Sequence, residues 1–286
     1  MENFYNLYRI GKNTKKPDSR GKSFGYQVLG FGSGFSSSIA HRGVWAGGLT
    51  PSTVNVIDFV EIATLGNASD FGNMTASKAR SSGTASTTRG LFFGGHTPGR
   101  LATIDFIEVA TEGNASDFGD LSAVGQFGAA GNNGTRAVNA LGDTNDSATN
   151  AIEFVTIASA GNTTDFGDVT AARTGLGECS SAVRICYMGG NGGAGSIGNM
   201  DVIDFVTTAS AGNATDFGNL LGVASAGSGC GNGTRGIHLG NNNADELTIE
   251  FITIASAGNS QDFGDLSVLS NDSGAACSSP TRGLKA

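Results

Sequence analysis

Residues Ile104–Asp120 read Ile-Asp-Phe-Ile-Glu-Val-Ala-Thr-Glu-Gly-Asn-Ala-Ser-Asp-Phe-Gly-Asp, and the same phrase, with small changes, occurs four more times. Its first phenylalanine falls at Phe59, Phe106, Phe154, Phe205 and Phe251, in steps of 47, 48, 51 and 46 residues. The second falls at Phe71, Phe118, Phe166, Phe217 and Phe263, with the same four steps. A recurring period of roughly fifty residues marks one supersecondary unit copied in tandem. The architecture is therefore legible before any single residue has a role.

Each unit divides into four short segments, seen in the second copy as 83–86, 88–95, 102–111 and 115–121. The second segment ends in a double glycine, and the third is rich in the β-branched and apolar residues of strands. Gly113-Asn114, between the third and fourth, suits the positive φ of a tight hairpin. Apolar residues occupy both alternating sets of Ile104–Val109, so this strand must be covered on both faces. Four-stranded antiparallel sheets stacked radially into a ring meet that demand and leave only short edges. An open β-solenoid is the alternative, although its coils are usually far shorter than this repeat. An arginine recurs in the second segment six times, at Arg42, Arg89, Arg136, Arg184, Arg235 and Arg282, whereas the third segment occurs five times. The chain thus begins and ends inside a repeat, and residues 274–284 are expected to complete the blade begun near 41–48. Five blades are expected, because a sixth would have to be assembled from ends too short to make it.

Composition narrows the function classes. Hydrophobic residues are 38%, charged residues only 15%, and the 46 glycines follow no collagen period. The net charge of −8 is uneven: residues 1–22 hold six basic and two acidic groups, which leaves −12 for the rest. An acidic body argues against nucleic acid as a partner. No apolar run approaches the roughly 20 residues that span a bilayer, and the N-terminus has no secretory h-region. Cys179, Cys230 and Cys277 occupy one repeated slot and read as small buried thiols. A Cys179–Cys186 cross-strand disulfide is the alternative.

Acids recur in the third segment at Asp58, Asp105, Glu153, Asp204 and Glu250, and an arginine stands in the neighbouring segment of each unit. A structural ring of arginine–carboxylate pairs is the simplest account; a central carboxylate site for a cation or a sugar is the sharper one. The Asp-Phe-Gly triplets lack the catalytic-loop context of a kinase, and the Asp-x-x-Asp pairs lack EF-hand spacing. Three dispersed histidines assemble no metal centre, and no nucleophile elbow appears. No catalytic residue, cofactor or metal is therefore assigned, and the chain reads as non-enzymatic. The connections between second and third segments vary most and mark one rim of the ring, where binding usually resides on rigid scaffolds. His96, Arg100, Asp143, Asp146, Asn191, Asn242 and Asp245 are the rim residues suited to a glycan or receptor.

The leader stands apart from the repeats. Phe4, Tyr5, Leu7, Tyr8, Arg9 and Tyr26 form an aromatic and basic set suited to docking into another protein, and a frayed terminus is the plainer reading. Residues 25–34 form a short glycine-flanked apolar strand able to pair with a partner or with its own ring. The expected division is an anchoring arm over 1–34 and a propeller over 35–286.

The double glycine, the four-strand period and the terminal overlap resemble kelch-type β-propeller repeats. The phrase Thr-Arg-Gly-x-Phe-x-Gly-Gly … Ile-Asp-Phe-x-x-Ile-Ala-x-x-Gly-Asn-Ala-x-Asp-Phe-Gly resembles repeats in virion structural proteins of tailed bacteriophages, particularly phages of aquatic bacteria. The likeness covers residues 41–283, but lacks the regular kelch tyrosine–tryptophan pair. It implies an all-β, five-bladed kelch-like β-propeller closed by overlap of its N- and C-terminal strands and preceded by an extended arm. It further implies a virion component made in the host cytoplasm and present in several copies. The arm would bind other virion proteins, and the propeller would face outward from a tail, fibre, baseplate or capsid. A lectin-like, polysaccharide-binding module is the competing class, and a propeller glycosidase is a weaker third.

Overall fold

A computed structural model describes residues 24–28, 40–49, 51–192, 198–240, 247–267 and 274–285. The protein is an all-β, five-bladed propeller, and no helix occurs among the described residues. From the inside outward, blade 2 comprises Ser82–Ala85, Arg89–Phe93, Gly99–Glu108 and Ser116–Gly125; blade 3 comprises Ala129–Asn132, Arg136–Ala140, Ala151–Thr156 and Thr164–Asp168. Blade 4 is Gly177–Ser180, Arg184–Met188, Met200–Thr207 and Thr215–Ala224; blade 5 is Ser228–Gly231, Arg235–Leu239, Thr248–Thr253 and Gln261–Asp265. These blades are antiparallel throughout. Blade 1 differs, because Phe24–Val28 pairs in parallel with Ala40–Ala46, followed by Val56–Glu61 and Ser69–Asn73. Of the two pairings expected for the 25–34 segment, the one with its own ring is formed. The rest of the 1–34 arm, with Phe4, Tyr5, Leu7, Tyr8 and Arg9, lies outside the described residues.

The core lies between blades. Ile107 and Val109 pack with Val44, Ile57 and Phe71 of blade 1, whereas Ile104 packs with Ala137, Val155 and Ile157 of blade 3. The alternating faces of one strand thus serve two neighbours, as its doubly apolar pattern requires. Blades 3 and 4 share Val138, Ile152, Ile185 and Val206; blades 4 and 5 share Ile203, Phe217, Ile252 and Ile254. Inside each blade the two repeat phenylalanines meet edge to face at 5.8–6.1 Å.

A backbone clip repeats at four junctions. The amide of Gly113 donates to the carbonyl of Phe71 at 2.8 Å, while the Asn114 side chain accepts from the amide of Asn73 at 3.0 Å. Gly161, Gly212 and Gly258 donate in the same way to Phe118, Phe166 and Phe217. Positive φ is needed not in the Gly-Asn turn of these four units' first three but in the glycine of Asp-Phe-Gly: Gly119 has φ +146°. A Cβ there would lie 2.4 Å from the carbonyl oxygen of Gly161, so close approach and backbone conformation both demand glycine.

The ring closes where its ends meet. The C-terminal hairpin, Ala276–Ser278 with Gly283–Lys285, lies in the sector between blades 5 and 1 and occupies its inner part. Ser278 Oγ donates to the carbonyl of Gly231 at 2.7 Å, Arg282 Nη1 to that of Ile62 at 2.9 Å, and Trp45 Nε1 to that of Ala275 at 3.4 Å. The hairpin keeps its own two-stranded sheet instead of joining that of Ala40–Ala46. The cause is positional: Arg282 and Arg42 stand at the same slot of the repeat, so their strands cannot occupy one place in one sheet.

Replacing Gly119 by alanine is expected to lower unfolding free energy by at least ~2 kcal/mol more than Gly264→Ala. Both sites have a φ that costs alanine roughly 1–3 kcal/mol, but Gly264 has nothing within 4 Å of its missing Cβ. Equal losses in urea titrations would contradict the clip.

Candidate functional site

The recurrent arginines and recurrent acids do not pair with each other. Arg89 lies opposite Glu108 across the strand pair, while Asp105 lies opposite Phe92. Asp105 and Glu108 are three residues apart, so they point to opposite faces of the sheet. The arginines instead lie over the first phenylalanine of their own blades, with Arg42, Arg89, Arg136, Arg184 and Arg235 at 3.8–4.7 Å from the ring centroids. Arg89, Arg136 and Arg184 also donate to backbone carbonyls of the next blade, at Ile157, Thr208 and Ile254.

The acids enter the interface with the preceding blade. Asp105 is fully buried and holds Lys78 Nζ at 3.2 Å and Thr75 Oγ1 at 2.6 Å. Asp204 holds Arg173 and, at 2.7 Å, Thr170 Oγ1. Glu153 accepts from Ser122 and Thr163, and Glu250 from the amide of Leu221 at 2.8 Å and Ser260 Oγ at 2.5 Å. Burial pulls the pKa of Lys78 and Arg173 down, against the carboxylates that pull it up. Asp58, in blade 1, is only half-buried. These acids are interblade ties, and the expected arginine–carboxylate ring is replaced by aromatic stacking on one face and buried carboxylate contacts on the other.

One end of the ring carries a different arrangement. The amide of Phe127 donates to the carbonyl of Arg80, that of Gly175 to Phe127, and that of Ala226 to Gly175, each at 2.9 Å. This backbone collar passes through blades 2 to 5. Arg80, Phe127 and Ala226 all adopt left-handed φ, between 54° and 61°. Non-glycine residues held there cost on the order of 1 kcal/mol or more each, and such strain concentrates at functional positions. The collar rims a funnel of about 300 Å³, lined by Trp45, Arg80, Phe127 and Leu176.

The collar connects to the sequence-expected rim. The Arg80 guanidinium lies 4.8 Å over the Phe127 ring and donates to Gln126 Oε1 at 3.3 Å. Gln126 Nε2 donates to Asp143 Oδ2 at 2.8 Å. Arg100 Nη2 reaches Asp143 at 2.8 Å and Asp146 at 2.7 Å, and these bonds hold its pKa above the ordinary guanidinium value. Asn145 and Asp146 both have positive φ, as a two-residue type I′ hairpin requires. His96 joins the same rim through a backbone bridge to Ala79. Arg100, Asp143 and Asp146 therefore come together; Asn191 sits apart, bonded to Asn199 at 2.7 Å, and Asn242 and Asp245 lie outside the described residues. An aromatic wall, a guanidinium and carboxylate acceptors side by side provide stacking and hydrogen bonding for a polar, ring-bearing ligand.

Arg80, Gln126 and Phe127 were not singled out from the sequence. The period does locate them, since Arg80, Phe127, Gly175 and Ala226 are separated by the same 47, 48 and 51 residues as the phenylalanines. Residue identity changes from copy to copy there, so no motif draws attention to the slot.

All four cysteines are buried free thiols; Cys179 and Cys186 face each other across a strand pair without forming a disulfide. Burial pushes Cys230 up to about 12 and Glu178 well above the usual carboxylate range. No protein-family model matches the chain, and no curated protein sequence matches it significantly.

His238 is buried beside Gly177 and Gly227, and burial, helped by Lys285, lowers its pKa to about 4. The unfolded chain takes up this proton below its ordinary value near 6.5, the native ring only near 4. Stability is therefore full above pH 6.5 and falls between 6.5 and 4, by on the order of 3 kcal/mol from this group. His238→Asn should flatten that part of the wild-type profile in thermal melts at pH 7, 6 and 5. Parallel profiles would contradict a buried neutral imidazole.

Proposed function

We propose that the protein is a non-enzymatic structural component of a phage particle, tethered by its N-terminal arm and presenting the propeller outward. The resemblance of its repeat to phage virion repeats suggests the setting. The observation that supports the reading most is the division of labour around the ring. Four of the five recurrent carboxylates, and four of the five Asp-Phe-Gly glycines, are taken up in interblade ties, which make a stiff platform. The connections that differ between blades gather with the strained collar on one end, free of that duty. In this reading the arm docks through Phe4, Tyr5, Leu7, Tyr8 and Arg9, and the acidic body faces solvent.

A second reading, a polysaccharide-binding module, is supported by the funnel itself. Trp45 and Phe127 line it with aromatic faces and Arg80 with a donor, and Gln126 links Arg80 to the Asp143 carboxylate on the adjoining rim. The two readings are compatible, because a displayed propeller can also bind a host surface glycan.

Particles assembled with a chain lacking residues 1–22 are expected to contain less than a tenth of the normal amount by quantitative mass spectrometry. The shortened chain should still melt cooperatively. Normal incorporation would overturn the anchoring role. For the second reading, an array of bacterial surface glycans should show binding by the full chain that falls at least tenfold in Arg80→Ala or Asp143→Asn. Unchanged binding by both variants would remove the funnel from consideration.

A further inference from the structure

The closing sector holds half a blade. Its hairpin supplies the inner and second strands of the repeat, Ala276–Ser278 and Gly283–Lys285, and no third or fourth strand pairs with it among the described residues. Among the described residues, the main contacts that a third and fourth strand make elsewhere in the ring are missing here on both sides. On the blade 5 side, Phe263 is 51% exposed, whereas Phe71, Phe118, Phe166 and Phe217 are 2–3% exposed. Gly264 has nothing near it, while its four counterparts each lie against the Gly-Asn turn of the next blade. Arg235 has its own Phe251 ring but lacks the carbonyl that Arg89, Arg136 and Arg184 find in the following blade.

The hairpin and blade 1 show the complementary vacancies. Arg282 bonds to Ile62 as its counterparts bond to their neighbours, yet no phenylalanine ring among the described residues lies under its guanidinium. In blade 1 the turn preceding Gly66 is uncovered, with Leu65 94% exposed. Between hairpin and blade 1 a gap of about 490 Å³ is lined by Trp45, Asp58, Leu65, Arg282 and Leu284. Asp58, whose counterparts are tied to the preceding blade, faces this gap.

We propose that the gap is a docking site for a β-hairpin carried by another polypeptide, one with the chemistry of the repeat's own third and fourth strands. Its first strand adds to the open edge of Gly283–Lys285 and places an aromatic ring beneath Arg282. Its turn presents a glycine–asparagine pair to the outer strand of blade 5, the glycine amide donating to the carbonyl of Phe263 and the asparagine oxygen accepting from the amide of Asp265, as at the four filled junctions. Its second strand carries aspartate, an aromatic residue and glycine, and receives the Gly66-Asn67 turn of blade 1. Four filled junctions in the same molecule define this occupant strand by strand, so it is specified more closely than an apolar groove alone would allow. Main-chain pairing to an exposed edge supplies affinity, and alternating side-chain seats supply selectivity. The exposed edge is otherwise a liability of the kind that folded proteins cover.

The test uses the full chain and a fluorescent synthetic peptide with the sequence of Thr248–Asp265, which contains both strands and the turn. Saturable binding in anisotropy titrations is expected. Replacing the peptide's first phenylalanine by alanine, or its Gly-Asn pair by Ala-Ala, should weaken binding at least tenfold while leaving the protein untouched. Arg282→Ala and Gly264→Val in the protein should each weaken it at least fivefold. Hydrogen exchange should slow on peptide addition at Gly283–Lys285 and Gln261–Asp265. Absence of saturable binding, equal binding of scrambled and native peptides, or protection confined to other blades would overturn the proposal.

Discussion

The ring depends on one backbone contact: the amide of a Gly-Asn turn in one blade bonding to the phenylalanine carbonyl in the Asp-Phe-Gly strand of the blade before it. The contact brings two outer edges so close that a single Cβ on the strand glycine would collide with the turn's carbonyl. It also answers the difficulty that radial sheets face at their periphery. Outer strands are edge strands, with unpaired donors and acceptors open to any passing chain. The clip occupies part of that edge and fixes the angle between neighbouring blades. Apolar packing near the axis and hydrogen bonding near the rim then act on the same two sheets.

The carboxylates follow from that geometry. Four of the five third-strand acids, Asp105, Glu153, Asp204 and Glu250, point into the junction with the preceding blade, where water is excluded and a lone charge would cost several kcal/mol. Two solutions appear. Asp105 and Asp204 meet a cation, Lys78 or Arg173, whereas Glu153 and Glu250 reach hydroxyls and amides. The slot of Lys78 and Arg173 holds Gly125 and Ala224 where the next blade carries glutamate. The shorter acid accompanies the long cation, and the longer acid accompanies a small residue, so the volume of the junction is filled in either case.

Much of this was legible in the spacing. A period near fifty, doubly apolar third strands and a sixth arginine point to a closed ring of five blades, and the structure is that ring. The seam was harder to read. The count puts Arg42 and Arg282 in one slot of the repeat, which keeps their strands in separate sheets, so residues 274–284 form their own hairpin instead of completing the blade begun near 41–48. The roles of the arginines and acids were misjudged because adjacency in the repeat says nothing about which face a side chain takes. Strand register decides it, since Asp105 is three residues from the position opposite Arg89. The covarying Lys78 and Arg173 were visible in the sequence, yet gain meaning only when neighbouring blades are known to meet there. The collar of Arg80, Phe127, Gly175 and Ala226 left almost no chemical trace, because its bonds are main-chain bonds that call for no particular side chain.

Amide hydrogen exchange resolved to single residues tests the central claim most directly. The account predicts slow exchange at Gly113, Gly161, Gly212 and Gly258, whose amides are held by the preceding blade, and fast exchange at Gly66, which faces the unfilled sector. Equal, rapid exchange at all five glycines would contradict a ring held together by interblade clips.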